Sequence, residues 1–390
     1  METNIVKNLY LCEPKFSTMI TIRTVSTKSD LREFILYPKQ LYKDCENWVP
    51  ALEGDEFDTF DKKKNGAYEY CESECYLAYK DGKAAGRVAA IINHNANKTW
   101  KTETVRFGWL DFIEDEEVLR AMLDKVAEWG RARGCTVMKG PLGFTDMDKE
   151  GLLVEGYEHF SPFTCLYNYP YYDTLLQRIG FSKDVDWTQK IVEISPELPP
   201  MFQYADLIEK RYGLHVARER STVAMCRKYG MSIFHMYNET FAPLFQFTPI
   251  TDRQIKRYLQ TYIPILSHKY VAICLDKDEN PVGFAFCVPT LSKAVKKSDG
   301  KLLPTGIFRI LHALNHNDTL EALMIGVLPE YQGKGASVLL FKYIHENCIK
   351  TGVTKMILNP QLEENFKVQS LFGEYKTEPF MRRRSYSKEI

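Results

Sequence analysis

A short glycine loop, "YQGKGAS" at residues 331–337, has residue types and a position that could bind a phosphate group. Gly333 and Gly335 allow positive φ angles and a close approach of the backbone to a ligand. A helix is predicted to begin after the loop, so its first N–H groups have no partner within the helix and form a site suited to a pyrophosphate. An ordinary turn between a strand and a helix is the alternative interpretation.

The spacing of the glycines excludes two common nucleotide-binding motifs. A Walker loop requires G-x-x-x-x-G-K-[ST], and a Rossmann fingerprint requires G-x-G-x-x-G early in a parallel βαβ unit. Gly333-Lys334-Gly335 is instead followed by "ASVLL" and lies near the end of the chain's second half. Neither motif fits.

The elements that would position this loop follow an order that occurs nearly unchanged twice along the chain. Each half is predicted as strand, helix, three strands, helix, strand, helix and strand, which indicates a duplicated α+β domain. In the first half the strands are predicted at 20–25, 76–80, 84–93, 105–111, 136–139 and 188–193, and the helices at 29–42, 117–133 and 171–179. In the second half the strands are predicted at 214–218, 270–275, 281–289, 320–327, 355–359 and 382–387, and the helices at 201–212, 232–241, 252–259, 337–350 and 364–372.

The two halves differ at the connection that corresponds to the glycine loop. In the first half, the strand ending at Asp111 is followed by "FIEDEE", which has no glycine and carries four acids. A phosphate is therefore expected only in the second half.

A proline-marked joint, "EISPELPPMF" at residues 193–202, separates the halves, because paired prolines end regular elements. Three parts are predicted: an N-terminal extension over 1–18, a first domain over 19–195 without a glycine loop, and a second domain over 196–390 with it. Residues 1–18 show no clear periodicity, and Met19 begins the first strand-like run. The pattern is therefore compatible with a translation start at either Met1 or Met19.

The overall charge argues against nucleic acid as a partner. The chain has 51 basic and 51 acidic residues, so it lacks the positive field that drives phosphate-backbone binding. No run approaches the roughly 18 apolar residues needed to span a bilayer, and no signal-peptide pattern is recognisable. The ten cysteines are scattered, several within apolar runs, and Cys71 and Cys75 have no second ligand pair at zinc spacing. We therefore predict a cytoplasmic protein without a metal.

Together with the preceding "IGVLPEY", the loop resembles the main motif of the GNAT superfamily of acyl-CoA-dependent N-acyltransferases, Q/R-x-x-G-x-G/A. Ser337 departs from the motif, which has Gly or Ala there. The resemblance implies two tandem GNAT-type domains, an α/β sandwich-like arrangement in which helices flank mostly antiparallel twisted sheets, with acyl-CoA or acetyl-CoA as co-substrate. The cofactor-binding residues that it implies are Ile325, Gly326, Val327, Gln332, Gly333, Lys334, Gly335, Ala336 and Ser337.

The catalytic residues are predicted from the same resemblance. Glu321 lies where some GNAT members carry a glutamate that accepts the amine proton, although a solvated charge at the start of a strand is an equal alternative. Asn365 matches the start of the superfamily's next helix motif. The tyrosine that ends this motif and protonates the departing thiolate is replaced by Phe372, which has no proton to donate, and Tyr375 is the candidate substitute. A packing tyrosine is the alternative for Tyr375.

Three segments narrow the resemblance to a tandem GNAT family that includes bacterial ceramide synthase, namely 41–52, 107–119 and 140–181. The resemblance covers about residues 19–390 and implies transfer of a fatty acyl group to the amine of a sphingoid base, hence a role in sphingolipid biosynthesis. Acids in the long loop of the first half could contact the amine of such an acceptor or satisfy the loop's own backbone; the candidates chosen are Glu155 and His159.

Residues 292–314, "SKAVKKSDGKLLPTGIFRILHAL", combine a lysine cluster with apolar residues at helical spacing. This pattern predicts peripheral contact with an anionic inner-membrane surface, or alternatively a helix packed on the sheet. Two further hypotheses on activity remain open. The acceptor could be a small polar amine or a protein lysine, and the absent tyrosine is compatible with a non-catalytic acyl-CoA-binding module.

Overall fold

The structure is a computed structural model that describes residues 19–390. The predicted N-terminal extension lies outside the described residues. In the first half, the strands are β1 (Ile20–Thr24), β2 (Cys71–Lys80), β3 (Lys83–Asn93), β4 (Thr104–Phe112), β5 (Val137–Gly140), β6 (Leu152–Glu155) and β7 (Ser182–Glu193). The helices of this half are α1 (Lys28–Leu41), α2 (Glu53–Thr59), α3 (His94–Trp100), α4 (Glu116–Arg131) and α5 (Tyr171–Arg178).

The second half continues with seven strands and seven α-helices in the described residues. Its strands are β8 (His215–Val216), β9 (Val271–Leu275), β10 (Pro281–Pro289), β11 (Thr319–Val327), β12 (Lys355–Leu358), β13 (Gln361–Leu362) and β14 (Thr377–Glu389). Its helices are α6 (Ala205–Tyr212), α7 (Thr222–Thr240), α8 (Asp252–Tyr262), α9 (Ser292–Lys297), α10 (Gly306–Asn315), α11 (Ala336–Thr351) and α12 (Phe366–Ser370).

The strands form one sheet in which pairing is antiparallel except at two places. Its main path runs β1-β2-β3-β4-β5-β14-β7-β12-β11-β10-β9-β8. The parallel pairs are β4 with β5 in the first half and β11 with β12 in the second, and each pair is connected by a long helix, α4 or α11. The same strand–helix–strand unit thus occurs once in each half, and the predicted α+β class with a duplicated, mostly antiparallel sheet is confirmed.

The two halves exchange strands at the middle of this sheet. The chain's last strand, β14, lies between β5 and β7, with Tyr386 opposite Gly140 on one side and Ser385 opposite Val185 on the other. In turn β7 pairs with β12, so that Ile191 lies opposite Ile357. The predicted boundary at residues 195 and 196 stays a prediction, and hydrogen bonding passes without a break from one half to the other.

Each half has its own apolar core on the sheet. In the first half, α4 buries Val118, Leu119, Met122, Leu123 and Val126 against β3 and β4. In the second half, α11 packs with Leu339, Leu340 and Ile344 on β9 and β10. A third cluster, centred on α7 and the opposite face of β10, fills the space toward the first half. The long helix of each half thus covers the sheet of its own half, α4 on β3 and β4 and α11 on β9 and β10.

Several elements are longer or shorter than predicted. Helix α7 begins ten residues before the predicted start at 232, since Met225 and Tyr229 are buried one turn apart. Gly230 lies inside this helix, and a Cβ there would come 2.8 Å from Leu259 Cδ2 on α8, so the glycine permits close packing instead of ending the helix. The helix predicted at 364–372 is only Phe366–Ser370, whereas β7 and β14 each extend beyond their predicted bounds because they pair with one another.

Candidate active site

The glycine loop has the open backbone expected of an anion site. Gly333 and Gly335 have φ angles of 75° and 85°, and α11 begins directly afterwards at Ala336. Within the described part of the chain, the N–H groups of Gly333, Gly335, Ala336 and Ser337 have no hydrogen-bond partner. A Cβ at Gly333 would meet nothing within 4 Å, whereas one at Gly335 would lie 2.5 Å from Ile208 Cδ1. Four free amides therefore lie at or directly before the positive end of a helix.

The N-terminus of the equivalent helix in the first half is already occupied by a side chain. Asp115 caps α4, and its Oδ1 atom accepts hydrogen bonds from the N–H groups of Glu117 at 2.9 Å and Val118 at 3.1 Å. Lys80 donates a further hydrogen bond to the same carboxylate. The chain's own carboxylate therefore occupies the place that a bound anion would take, which agrees with the expectation from "FIEDEE".

Strand β11 leads to the glycine loop with one edge open. It pairs with β12 only from Thr319 to Ala322, and the last contact is the N–H of Asn359 donating to the carbonyl of Ala322 at 3.0 Å. On the other side, β10 stays paired as far as Val327, with a bulge where Leu323 is the extra residue. In the described residues, positions 323–327 therefore have no strand partner on this side, and an extended ligand could be added there as a strand. The carbonyl of Val327 already accepts a hydrogen bond from the side chain of Gln332.

A cavity of about 400 Å³ meets this open edge at Leu323, Met324, Asn359 and Pro360. Its other walls come from both halves of the chain. The apolar walls are formed mainly by α7, α8 and β10, through Ile233, Phe234, Tyr258, Leu259, Phe286 and Val288. Polar groups come from the first half, through Asp146, Asp148, Lys149, Glu150 and Thr164. The cavity thus has the mostly apolar lining with a few convergent polar groups that is typical of ligand sites.

Glu321 lies on β11 beside this cavity and is 2% exposed. Its Oε2 atom accepts a hydrogen bond from Thr164 Oγ1 at 2.9 Å, and its Oε1 atom accepts one from Thr290 Oγ1 and a longer one from Ser292 Oγ. Burial raises the pKa of the Glu321 carboxyl, while the three hydroxyl donors oppose this shift. The alternative of a solvated charge at the start of a strand is therefore wrong. Thr164, which lines the cavity, connects Glu321 to it.

Three acids of the long first-half loop lie at the cavity wall. Tyr237 donates a hydrogen bond to Oδ2 of Asp146, and Oδ1 of Asp146 is buried without a partner among the described residues. Burial raises the pKa of Asp146 to about 6 and that of Asp148 to about 6. Burial, reinforced by the neighbouring Asp146, raises the pKa of Glu150 to about 8. A cationic group entering the cavity would relieve this repulsion.

The raised pKa of Glu150 leads to a prediction about stability. A carboxyl whose folded pKa exceeds its unfolded value stabilises the fold below the unfolded value and loses that contribution as the pH rises through the folded pKa. For Glu150 this window runs from about 4.5 to about 8. We expect Glu150→Gln to flatten the decline in melting temperature across that window, measured by differential scanning calorimetry. Glu155→Gln, at an exposed carboxyl, is the control, and an equal flattening in both variants would contradict the assignment.

The other predicted catalytic residues lie outside the lining of the cavity. Asn365 caps α12, with its Oδ1 atom accepting a hydrogen bond from Val368 N at 3.4 Å. Phe372 is buried, with its ring centre 5.1 Å from that of Phe341 on α11. Tyr375 packs beside it, 5.7 Å from the ring of His345, and burial raises the pKa of its hydroxyl. Neither Asn365 nor Tyr375 lines the cavity, and their catalytic roles stay predictions.

The two residues predicted to contact an acceptor are not brought to the cavity. Glu155 forms an exposed ion pair with Arg382 at 3.3 Å, and the ring of His159 packs on Phe380 at 4.8 Å between centres. The cavity instead receives Asp146, Asp148 and Glu150 from the preceding turn of the same loop. Thr164 and Lys149 were missed because a single threonine or lysine in a long connection carries no pattern of its own.

The helices and side chains of residues 19–390 fit neither a membrane span nor a metal site. None of the helices there is long and apolar enough to cross a membrane. No group of three or more histidine, cysteine or acidic side chains converges as a metal site in the same range.

Comparison with known proteins places this geometry in a family context. Residues 231–374 match the model of the acetyltransferase (GNAT) family. Protein YghO of Escherichia coli (strain K12) is 24% identical over 381 residues, 95% of this chain and 95% of that protein. The bacterial ceramide synthase of Caulobacter vibrioides (strain NA1000 / CB15N) is 22% identical over 354 residues, 89% of this chain and 91% of that protein.

Among solved structures, a tandem GNAT protein from the clavulanic acid biosynthesis pathway superposes with a TM-score of 0.53 at 11% identity. The match covers 95% of this chain and 98% of that chain. At this identity the likeness concerns the fold alone. Together with the duplicated sheet, it confirms the tandem fold expected from the sequence.

Proposed function

We propose that this chain, as a member of the GNAT superfamily, is an acyl-CoA-dependent N-acyltransferase. Its proposed acceptor is an amine with an apolar chain. The observation that carries the proposal is the junction at Leu323 and Met324, where the open edge of β11 meets the cavity between the two halves. A donor held along that edge and an acceptor held in the cavity would come together at this point.

The described residues fit coenzyme A on the donor side. The free amides of Gly333, Gly335, Ala336 and Ser337 suit the pyrophosphate, and the open edge at 325–327 suits the amide-containing pantetheine arm. When bound, the acyl-CoA supplies an acyl group activated as a thioester. The side chain of Gln332 donates to the carbonyl of Val327 at 3.1 Å and so holds the turn between strand and loop.

The acceptor side favours an amphipathic amine. Asp146, Asp148 and Glu150 offer negative charge to an ammonium group, while the rings and aliphatic side chains of α7, α8 and β10 offer a surface for a hydrocarbon chain. The similarity to the bacterial ceramide synthase of Caulobacter vibrioides supports a sphingoid base as the specific acceptor. A small polar amine would use the acids but leave most of the apolar wall uncovered.

The chemistry requires an ammonium proton to be removed before attack. The amine nitrogen then forms a bond to the acyl carbon and the carbon–sulfur bond breaks. The nitrogen gives up a second proton, which the departing thiolate takes up to leave as the thiol. We assign the removal of the proton to Glu321, through the Thr164 hydroxyl that lies between its carboxylate and the cavity. A raised pKa makes this carboxylate a stronger base than an exposed one.

The proposal is tested by mass-spectrometric detection of amide products. Purified protein is incubated with acetyl-CoA or palmitoyl-CoA, each with a sphingoid base, a polyamine, an amino sugar or a lysine peptide. We expect an amide only with the long-chain donor and the sphingoid base. Exclusive acetyl transfer to a polar amine would reject the lipid acceptor. Binding of coenzyme A without product from any amine would reject the transferase activity and favour a non-catalytic binding module.

A further inference from the structure

The hairpin of α9 and α10 (residues 292–315) presents an exposed apolar tip. Leu303 is 77% exposed, Phe308 70%, Leu311 47% and Leu302 39%. The opposite side of the same hairpin is buried, with Ile310 packed against Val295 and Val49 in a separate apolar cluster. The alternative prediction of a helix packed on the sheet therefore describes one side only, while four large apolar side chains face outward.

The hairpin is fixed to the segment that forms one wall of the cavity. Lys296 Nζ donates hydrogen bonds to the carbonyl oxygens of Cys45 and Trp48, each at 2.9 Å, and to that of Glu46. The N–H of Glu53 donates to the carbonyl of Gly300 at 3.0 Å. Trp48, Val49, Pro50, Ala51, Leu52 and Glu53 all line the cavity. The exposed tip thus lies directly beside the cavity wall.

The charges around the tip are nearly all positive. Residues 292–314 contain five basic residues and a single acid. Lys296 is used internally, and the acid, Asp299, is paired with Lys39 at 2.9 Å. The remaining cations, Lys293, Lys297, Lys301 and Arg309, are exposed around the apolar side chains. The chain as a whole is formally neutral, so the hairpin is a locally positive region within it.

We propose that the α9–α10 hairpin docks on an anionic lipid bilayer, with the four apolar side chains in the interface and the exposed cations against lipid headgroups. Both components are needed for a surface-bound segment, because apolar burial and electrostatic attraction act together. If the proposed function holds, a lipid amine or a long acyl chain passes between the bilayer and the neighbouring cavity; this part alone rests on that function. A second protein copy is disfavoured as occupant since the cations would face each other.

Co-sedimentation of the full chain with vesicles tests the docking surface. Vesicles of phosphatidylcholine alone are compared with vesicles that also contain phosphatidylglycerol. We expect binding to the anionic vesicles, weakened about tenfold or more by Leu303→Ser with Phe308→Ser, and weakened similarly by Lys297→Glu with Lys301→Glu. The charge effect should fade at high salt, whereas the apolar effect should persist.

Matched controls come from equally exposed residues on other elements. Leu207→Ser with Phe366→Ser removes apolar surface from α6 and α12, and Lys210→Glu with Lys256→Glu reverses charge on α6 and α8. The proposal is overturned if the controls lose as much binding as the hairpin variants, if the wild type ignores anionic vesicles, or if it binds a DNA duplex instead. Unchanged melting temperatures confirm that the variants fold. If the wild type forms the amide but does not bind anionic vesicles, only the docking surface is rejected and the proposed activity is not.

Discussion

Replacement of Ser337 by Glu is expected to weaken coenzyme A binding about 30-fold or more and to leave the fold intact. Ser337 is the second residue of α11, where a carboxylate interacts favourably with the helix dipole. The same carboxylate would stand among the free amides that the pyrophosphate needs. Repulsion from a like charge in the loop costs about 2 kcal/mol or more, which corresponds to the stated change in affinity.

Titration calorimetry with coenzyme A measures this effect, and thermal unfolding without ligand reports the fold. Ser337→Ala serves as the matched control, because it removes the hydroxyl without adding charge and should bind within a few-fold of the wild type. The cap of α4 by Asp115 illustrates the same principle, since a carboxylate of the chain fills the equivalent place in the first half. Equal coenzyme A affinity in the wild type and the Glu variant would show that the glycine loop does not bind the donor.

A second large effect is expected from Glu321→Gln, which should lower kcat by about 100-fold to 10,000-fold with little change in KM. The amide has nearly the shape of the carboxylate and can still accept a hydrogen bond from Thr164 or Thr290, so the local packing is retained. It cannot accept the proton of the amine. Steady-state rates over a range of amine concentrations separate the change in kcat from a change in KM.

The pH behaviour gives an independent check on Glu321. Activity of the wild type should rise with pH through the raised pKa of the carboxyl, since only the ionised form accepts a proton. The stability that this carboxyl contributes while protonated is lost across the same range, so Glu321→Gln should be less destabilised than the wild type as the pH increases. Glu209→Gln, at an exposed carboxylate on α6, is the control. A variant at 321 with normal kcat would assign the base to another group.

The glycine loop and its flanking strand were predictable because their signals are local. Gly333, Gly335 and the start of α11 lie within a few residues of one another, so residue types alone predict positive φ angles and free amides. The start of helix α7 was predicted ten residues too late, and the structure places Gly230 inside this helix. What Gly230 does is set by Leu259 on α8, which approaches it only in the folded chain.

The candidate acceptor site was less predictable because its walls come from segments far apart in sequence. The acids of the loop after β5 were noticed, but Glu155 and His159 could not be separated from Asp146 and Glu150 without knowing which way each side chain points. The contact between Thr164 and Glu321 joins residues 157 positions apart. No periodicity or motif marks a pairing of that kind.

The position of β14 has a consequence for how this protein can be made. Residues 377–389 complete the sheet of the first half, and Arg383 on this strand is fully buried, with Nε donating to Gln189 Oε1 at 3.0 Å. During synthesis on a ribosome, the edges of β5 and β7 therefore stay uncovered until residues 377–389 have emerged. Fragments cut at the joint between the halves would each expose an unpaired strand edge. If the two halves were expressed from separate genes, β14 of the second half would have to insert between β5 and β7 of the first half for them to assemble.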